Sequence, residues 1–414
     1  MTRGAADAGR SRRLDAYWSV PEQDPERLRR LQAQFAEQPA VEAAVLLPAP
    51  ELPGGTLTTL DLSPRQGYLD AAPNGIGARQ AWPRPGGTGT GVRVIDIEGD
   101  WLGAHESLNG AVEPGLHLRA DPAAPWNGAH QTFLDHGTAV LGQLAGTHPN
   151  GRGIRGICPG AEIGFVSHMH REAWTGIIGG PGAISRATDM LRPGDVLLLE
   201  MHLPGPRFGF GSASGQLGYI AVEWFEPYFD AILDATDNGI LVVEAAGNGR
   251  EDLDDPLYDA NSLGFSSAWT NPFRRGRDCG AIIVGAGAPP GGSHGPARSR
   301  LGFSNHGACL DAQGWGAAVV TAGYGDLQRS PAGDRSYTAT FGGTSSASPC
   351  VAGALALVQG MLRAAGAALL TPRRARQLLR HTGTPQPAPA HDRIGSLPDV
   401  AALFQAALQT DVSS

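Results

Sequence analysis

An α/β fold with a mostly parallel central sheet, covered by helices on both faces, is the architecture this sequence predicts. Two observations carry the prediction. Short, continuously apolar runs recur at VRVIDIE, EIGFVSH, DVLLLEM, GILVVEAAG and AIIVGAG, and strands that are apolar throughout, rather than alternately, are strands buried on both faces. Helical or loop-rich stretches separate these runs, which is the alternation that builds parallel sheets from crossover units.

Taken in order, the chain begins with a small unit. DPERLRRLQAQFAEQ has helical periodicity, VEAAVLLP reads as a strand and APELPGG breaks the pattern. Residues 1–60 are therefore expected to form an N-terminal extension, and residues 61–414 the main domain. The run GGTGTG at 86–91 precedes a strand, whereas a dinucleotide fingerprint follows a strand and opens a helix, so nucleotide binding is not expected. Asp96 ends the first apolar strand, Asn248 follows the strand GILVVEAAG, and Ser345 heads the apolar helix SSASPCVAGALALVQGML. Open α/β sheets place their sites at such strand ends.

Composition excludes several chemistries. There is no lysine, so all 32 basic residues are arginine, and Schiff-base chemistry, a Ser-Lys dyad and a P-loop are ruled out. A formal charge of -8 without a basic stripe argues against nucleic acid as a partner. The cysteines, Cys158, Cys279, Cys309 and Cys350, form no CxxC pair and are expected as buried free thiols. His168 and His170 lie beyond a strand without a carboxylate at ligand spacing, so no metal site is expected there. The N-terminus lacks an apolar signal core, and no later stretch is expected to span a membrane. As written, the chain is expected to be cytoplasmic and monomeric, or secreted if its N-terminus has been trimmed.

A hydrolytic serine needs an imidazole to take its proton, a carboxylate to fix that imidazole's tautomer, and donors for the oxyanion. The chain offers these in the order Asp96, His136, Ser345, with Asn248 as the oxyanion donor. LDHGTAVLG, VVEAAGN and FGGTSSASPCVAGALAL carry the HGT-x-V-x-G, asparagine and GTS-x-A-x-P motifs by which the chain, from Gly91 to Gly366, resembles a subtilase, a subtilisin-like serine peptidase. Within the last motif the nucleophile position is Ser345 and not Ser346. The first motif departs from the family: subtilases read D-[ST]-G where this chain reads Asp96-Ile97-Glu98-Gly99. Asp100 and Asp135 compete for the acid's role, and Asp96 is preferred because it directly ends the strand. Sedolisins replace the histidine by glutamate and the asparagine by aspartate, so His136 and Asn248 place the chain on the subtilisin side.

The resemblance implies a subtilisin-like three-layer sandwich and a serine endopeptidase that acts on peptide or protein substrates through an acyl-enzyme, without a cofactor for the chemistry. The alternatives are a dedicated precursor-peptide processing protease or transpeptidase, and a catalytically silent fold that binds peptides. Subtilases often bind calcium, for which Glu251, Asp252, Asp254 and Asp255 are the candidate acids. The N-terminal unit resembles part of a subtilase propeptide. The stretch GREDLDDPLYDAN is similar to the one kexin-like subtilases use to bind basic residues, and the substrate-lining strand reads Glu200-Met201-His202. These four positions, Glu200, Met201, His202 and Asp259, are expected to bind substrate, with Glu200 and Asp259 favouring a basic residue before the scissile bond.

Overall fold

The computed structural model describes residue 20 and residues 24–46, 58–125, 128–173, 176–388 and 392–409. The chain divides into two units, residues 1–57 and 58–414. In the first, helix α1 (Pro25–Ala36) starts where Asp24 accepts hydrogen bonds from the backbone N–H groups of Glu26 and Arg27, with Pro25 opening the first turn. The expected strand VEAAVLLP does not form over residues 41–46, and residues 47–48 lie outside the described part. A strand needs a ladder partner, and none is present in this unit among the described residues.

The second unit is built on a seven-stranded sheet. Its strands are β1 (Arg93–Glu98), β2 (Val112–Leu118), β3 (Glu162–Ser167), β4 (Val196–Leu199), β5 (Leu241–Ala245), β6 (Ile282–Gly287) and β7 (Ala312–Trp315). They lie in the order β7-β6-β5-β4-β1-β3-β2, and every neighbouring pair is parallel. All five expected strands are present. The two additional ones are the sheet's edges, where β2 is half exposed and carries Pro114 and Gly115, and β7 is only four residues long.

Helices cover both faces. On one side lie α2 (His130–Ala145) and α5 (Thr344–Ala365), and on the other α3 (Gly179–Met190) and α4 (Glu226–Asp237). Side chains alternate across a strand. Ile95 and Ile97 of β1 join Ile184 and Phe229 in the α3/α4 core, while Val94 joins Val140 and Leu355 in the α2/α5 core. Parity therefore assigns Asp96 and Glu98 to the α2/α5 side. Leu198 of β4 faces that side too, so Glu200, two residues on, follows it there.

Helix α5 has the length and apolar character of a membrane span, against expectation, but it is the central core helix and is buried over nearly its whole length. Each fully buried leucine on it contributes roughly 1.5–3 kcal/mol. It ends at Gly366, whose φ of 65° is the left-handed cap that glycine adopts without penalty. Helix α6 (Pro372–Thr382) is tied to the sheet through Asp311, a fully buried residue just before β7. Its carboxylate accepts from Ile283 N at 3.1 Å, Arg275 Nη2 at 2.9 Å and Arg380 Nε at 2.6 Å. The last helix, α7, runs Val400–Leu408. All four cysteines are buried free thiols, as expected.

Candidate active site

The end of β1 delivers two acids to one place. Asp96 and Glu98 lie two residues apart on the same strand face, and Glu200 arrives beside them because Leu199 of β4 pairs with Ile97 and the Glu200 N–H donates to the Ile97 carbonyl at 3.1 Å. All three are buried. Removal from water pushes each carboxyl well above the usual range, reinforced at Asp96 by the neighbouring Glu98, at Glu98 by Asp100, and at Glu200 by Asp96.

His136 projects from α2 toward this cluster. Its Nδ1 is 2.7 Å from Glu98 Oε2, and no hydrogen bond joins it to Asp96. Where Asp96 was expected to hold the histidine, the structure brings Glu98, two residues further along the same strand, into contact with it instead. The level at which α2 crosses β1 decides it. A Cβ on Gly137 would stand 2.3 Å from the Asp100 carbonyl oxygen and 3.1 Å from Glu98 Cδ, so only glycine lets the helix approach there, and that approach sets His136 against Glu98. Burial lowers the affinity of His136 for a proton, and the charge of Glu200 partly restores it. The ring is packed edge-on against Phe341, with centroids 5.5 Å apart.

The other candidate acids have different partners. Asp100 is bonded to His130 and Arg119, at 3.0 Å in both cases. Asp135 accepts from Gln131 Nε2 and Tyr324 N, on the outside of α2.

Ser345 is the second residue of α5 and is half-buried. Three contacts close the site around it. Thr344 donates from both N (2.9 Å) and Oγ1 (3.1 Å) to Asn248 Oδ1, Ser348 Oγ donates to Glu200 Oε1 at 2.6 Å, and Gln143 of α2 donates to the Ser346 carbonyl at 3.0 Å. The two donors on Asn248 Oδ1 leave its Nδ2 end to donate, and it does so to Gln216 Oε1 at 3.1 Å. The serine itself therefore sits where the N-terminal partial charge of α5 favours an anion. Ser346, by contrast, is fully buried and donates to the Trp315 carbonyl at 2.8 Å, so its hydroxyl is spent on structure.

The four expected substrate-binding residues divide. His202 lies at the site: its Nδ1 accepts from Asn248 N at 3.2 Å, its ring packs on Tyr219, and burial together with the nearby His136 pushes its pKa down to about 4, so it is neutral near pH 7. Met201 packs against the α3/α4 core. Glu200 belongs to the carboxyl cluster behind His136, and Asp259 is held by Arg274 through bonds of 2.8 and 3.0 Å and by Asn271 at 2.8 Å. Neither carboxylate is a bare acid awaiting a basic substrate side chain. The acids weighed for calcium have protein partners of their own: Glu251 and Asp255 clasp the Arg207 guanidinium at 2.6 and 2.7 Å, while Asp252 and Asp254 accept backbone N–H groups. Among the described residues no group of three or more metal-ligating side chains comes together.

Sequence reasoning missed Glu98 as the histidine's partner and Gln216 as the partner of Asn248. A signal existed for the first, since Glu98 shares a strand face with Asp96 by period two. None existed for the second, which rests on a loop turned by Gly215 and Gln216 at φ of 66° and 61°.

The model of the subtilase family (Peptidase_S8) matches residues 119–396, a span that holds His136, Asn248 and Ser345 and begins after β1. An extracellular protease of Xanthomonas campestris pv. campestris is 26% identical over 388 residues, which are 86% of this chain and 58% of that protein. This chain thus spans little more than half the length of that relative. Subtilisin BL of Lederbergia lenta is 29% identical over 273 residues, 66% of this chain and 77% of that protein. Among solved structures, one of proteases from Pseudoalteromonas arctica PAMC 21717 superposes with a TM-score of 0.56 at 22% identity, covering 84% of this chain and 100% of the other, a likeness of fold.

Proposed function

This chain belongs to the subtilase family of serine peptidases, and from that premise we propose that it is a serine endopeptidase whose nucleophile is Ser345, whose general base is His136, and whose orienting carboxylate is Glu98 rather than Asp96. The observation that carries this reading is the 2.7 Å bond from His136 Nδ1 to the buried Glu98 carboxylate, on the same side of the sheet as the serine at the head of α5. A carboxylate there fixes the tautomer with Nδ1 protonated, which leaves Nε2 to take a proton.

Ser345 Oγ then attacks the scissile carbonyl carbon of a peptide or protein substrate while its proton passes to His136 Nε2. Glu98 stabilises the imidazolium that forms. The carbonyl oxygen, now an anion, accepts from Asn248 Nδ2, which exchanges Gln216 Oε1 for it, and the N-terminus of α5 adds its partial positive charge. His136 returns the proton to the leaving amine, and water attacks the acyl-enzyme by the same route in reverse.

The test is labelling with a fluorophosphonate, which reacts with an activated serine. The parent protein is expected to label at Ser345 and to cleave peptides from a mixed library. Ser345→Ala is expected to abolish labelling and lower turnover by roughly a million-fold, the scale measured for the serine of subtilisin, while Ser346→Ala keeps both. A folded parent that neither labels nor cleaves refutes the reading in favour of a silent peptide-binding fold.

A further inference from the structure

The role left to Asp96 follows from what surrounds it. It is wholly buried, and neither of its oxygens has a hydrogen-bond partner, nor does Glu98 Oε1 or Glu200 Oε2. Four buried oxygens of three neighbouring, interacting carboxyls are therefore without a protein donor among the described residues. Such a group costs its full desolvation penalty when left unpaired. Two ionised carboxylates in contact inside a protein also repel strongly. A proton on one of the carboxyls relieves both costs, because it turns an acceptor pair into a donor and an acceptor.

The geometry points to Asp96 as the holder of that proton: a neutral carboxylic acid that donates to Glu98 and so fixes the carboxylate that orients His136. Resting on the assignment of Glu98 above, this makes Asp96 a positioning residue that acts through Glu98 and does not touch the reacting atoms.

The surroundings choose Asp96 over its neighbours. Glu98 faces the His136 ring and must be ionised to hold its Nδ1–H and balance an imidazolium, with Asp100 and the Tyr324 hydroxyl as its other titratable neighbours. Burial and Asp96 raise Glu200 as well, but its Oε1 already accepts from Ser348 of α5 and the nearby His136 draws it back toward the charged form, and Asp96 has neither partner. Among the described residues Asp96 has no hydrogen-bond partner, and the charged groups that act on it or feel it are Glu98 on its own strand and Glu200 just past the end of β4. Burial and the neighbouring Glu98 both raise its proton affinity, and its contact with Glu98 lowers that of Glu98 in return, as a donor does for its acceptor.

Asparagine is the isostere of a protonated aspartic acid and of nothing else that aspartate does. The experiment compares Asp96→Asn, Asp96→Ala and Glu98→Gln by fluorophosphonate labelling rate against pH, and by the proton NMR resonance of the His136 Nδ1–H. Asp96→Ala is expected to slow labelling by about 10- to 100-fold with the proton resonance broadened or shifted, as loss of a supporting partner does. Asp96→Asn is expected to bring both back to within about tenfold of the parent, with the same pH profile. Glu98→Gln is expected to lose roughly 10³- to 10⁴-fold, the scale of a lost triad acid, together with the resonance. Asp96→Asn as damaging as Glu98→Gln, or no better than Asp96→Ala, overturns the inference. If Asp96→Ala does not fold, the comparison of Asp96→Asn with Glu98→Gln decides alone. The resonance does not depend on turnover, so a parent that fails to label sinks the peptidase reading while the NMR arm still judges Asp96.

Discussion

Asn248 does two jobs through its two ends, and substitutions can separate them. Oδ1 accepts from the N–H and the hydroxyl of Thr344 at the start of α5, while Nδ2 is the donor offered to the oxyanion. Asn248→Leu removes both ends. Loss of an oxyanion donor costs about 100- to 1,000-fold in kcat, or about 2.7–4 kcal/mol of transition-state stabilisation. The Thr344 N–H and hydroxyl, stripped of their acceptor, add about 1–3 kcal/mol of lost folding stability. Asn248→Asp keeps the acceptor and exchanges the donor for a second acceptor, so it is expected to lose at least as much kcat while its urea midpoint stays near the parent's. The assay is kcat and KM on one fluorogenic peptide, paired with urea melts of the three proteins. An Asn248→Asp enzyme with parental kcat would refute the oxyanion role. An Asn248→Leu protein as stable as the parent would refute the structural one.

Two further outcomes follow from the charges. Glu200 is buried with its carboxyl pushed upward, so the folded state binds a proton more tightly than the unfolded chain does; its favourable contribution is complete below the unfolded value near 4 and is lost as pH rises through the folded one. Glu200→Gln, which keeps an acceptor for Ser348, is therefore expected to flatten the fall in stability above pH 4 by up to about 1.4 kcal/mol per pH unit, and denaturant melts from pH 4 to 9 that superpose on the parent's slope would contradict this. Asp259→Asn is expected to leave the ratio of kcat/KM for matched Arg and Leu peptides unchanged, since Arg274 already occupies that carboxylate, and a fall in the Arg preference would show that the pair opens to substrate.

Much of this molecule is legible along the chain because its physics is local. The five apolar runs become strands since only a sheet covered on both sides buries residues such as Ile95 and Val94 alike. Ser345 and Asn248 follow from their position at a helix head and a strand end. Strand parity even places Asp96 and Glu98 on one face. What it does not give is the height at which a helix crosses that face, which is set by the approach of α2 at Gly137, so the choice between the two acids lay in tertiary packing. Asp259 misleads for a related reason: its partner Arg274 lies 15 residues away with no regular spacing between them, and an acid neutralised by a distant arginine looks the same in sequence as a free one. The edges of the sheet were invisible because β2, wet over much of its length, sheds the apolar signature of its neighbours, and β7, though buried, is too short to show a pattern.

Asp311 bears on where this chain can be shortened. Helix α6 looks like an appendage, an arginine-rich amphipathic segment following the long core helix. Yet its Arg380 guanidinium neutralises a carboxylate with no access to water, together with Arg376 of the same helix 3.9 Å from that carboxylate and Arg275 at 2.9 Å. A cut after α5 would leave that charge to Arg275 alone, and since removing one partner of a buried pair costs up to about 3–5 kcal/mol, the loss could reach a large part of what holds a typical domain together. The smallest independently folding piece of the second unit thus has to run past residue 382, and a protease nick or a fusion joint placed between α5 and α6 would loosen the sheet edge rather than trim a tail.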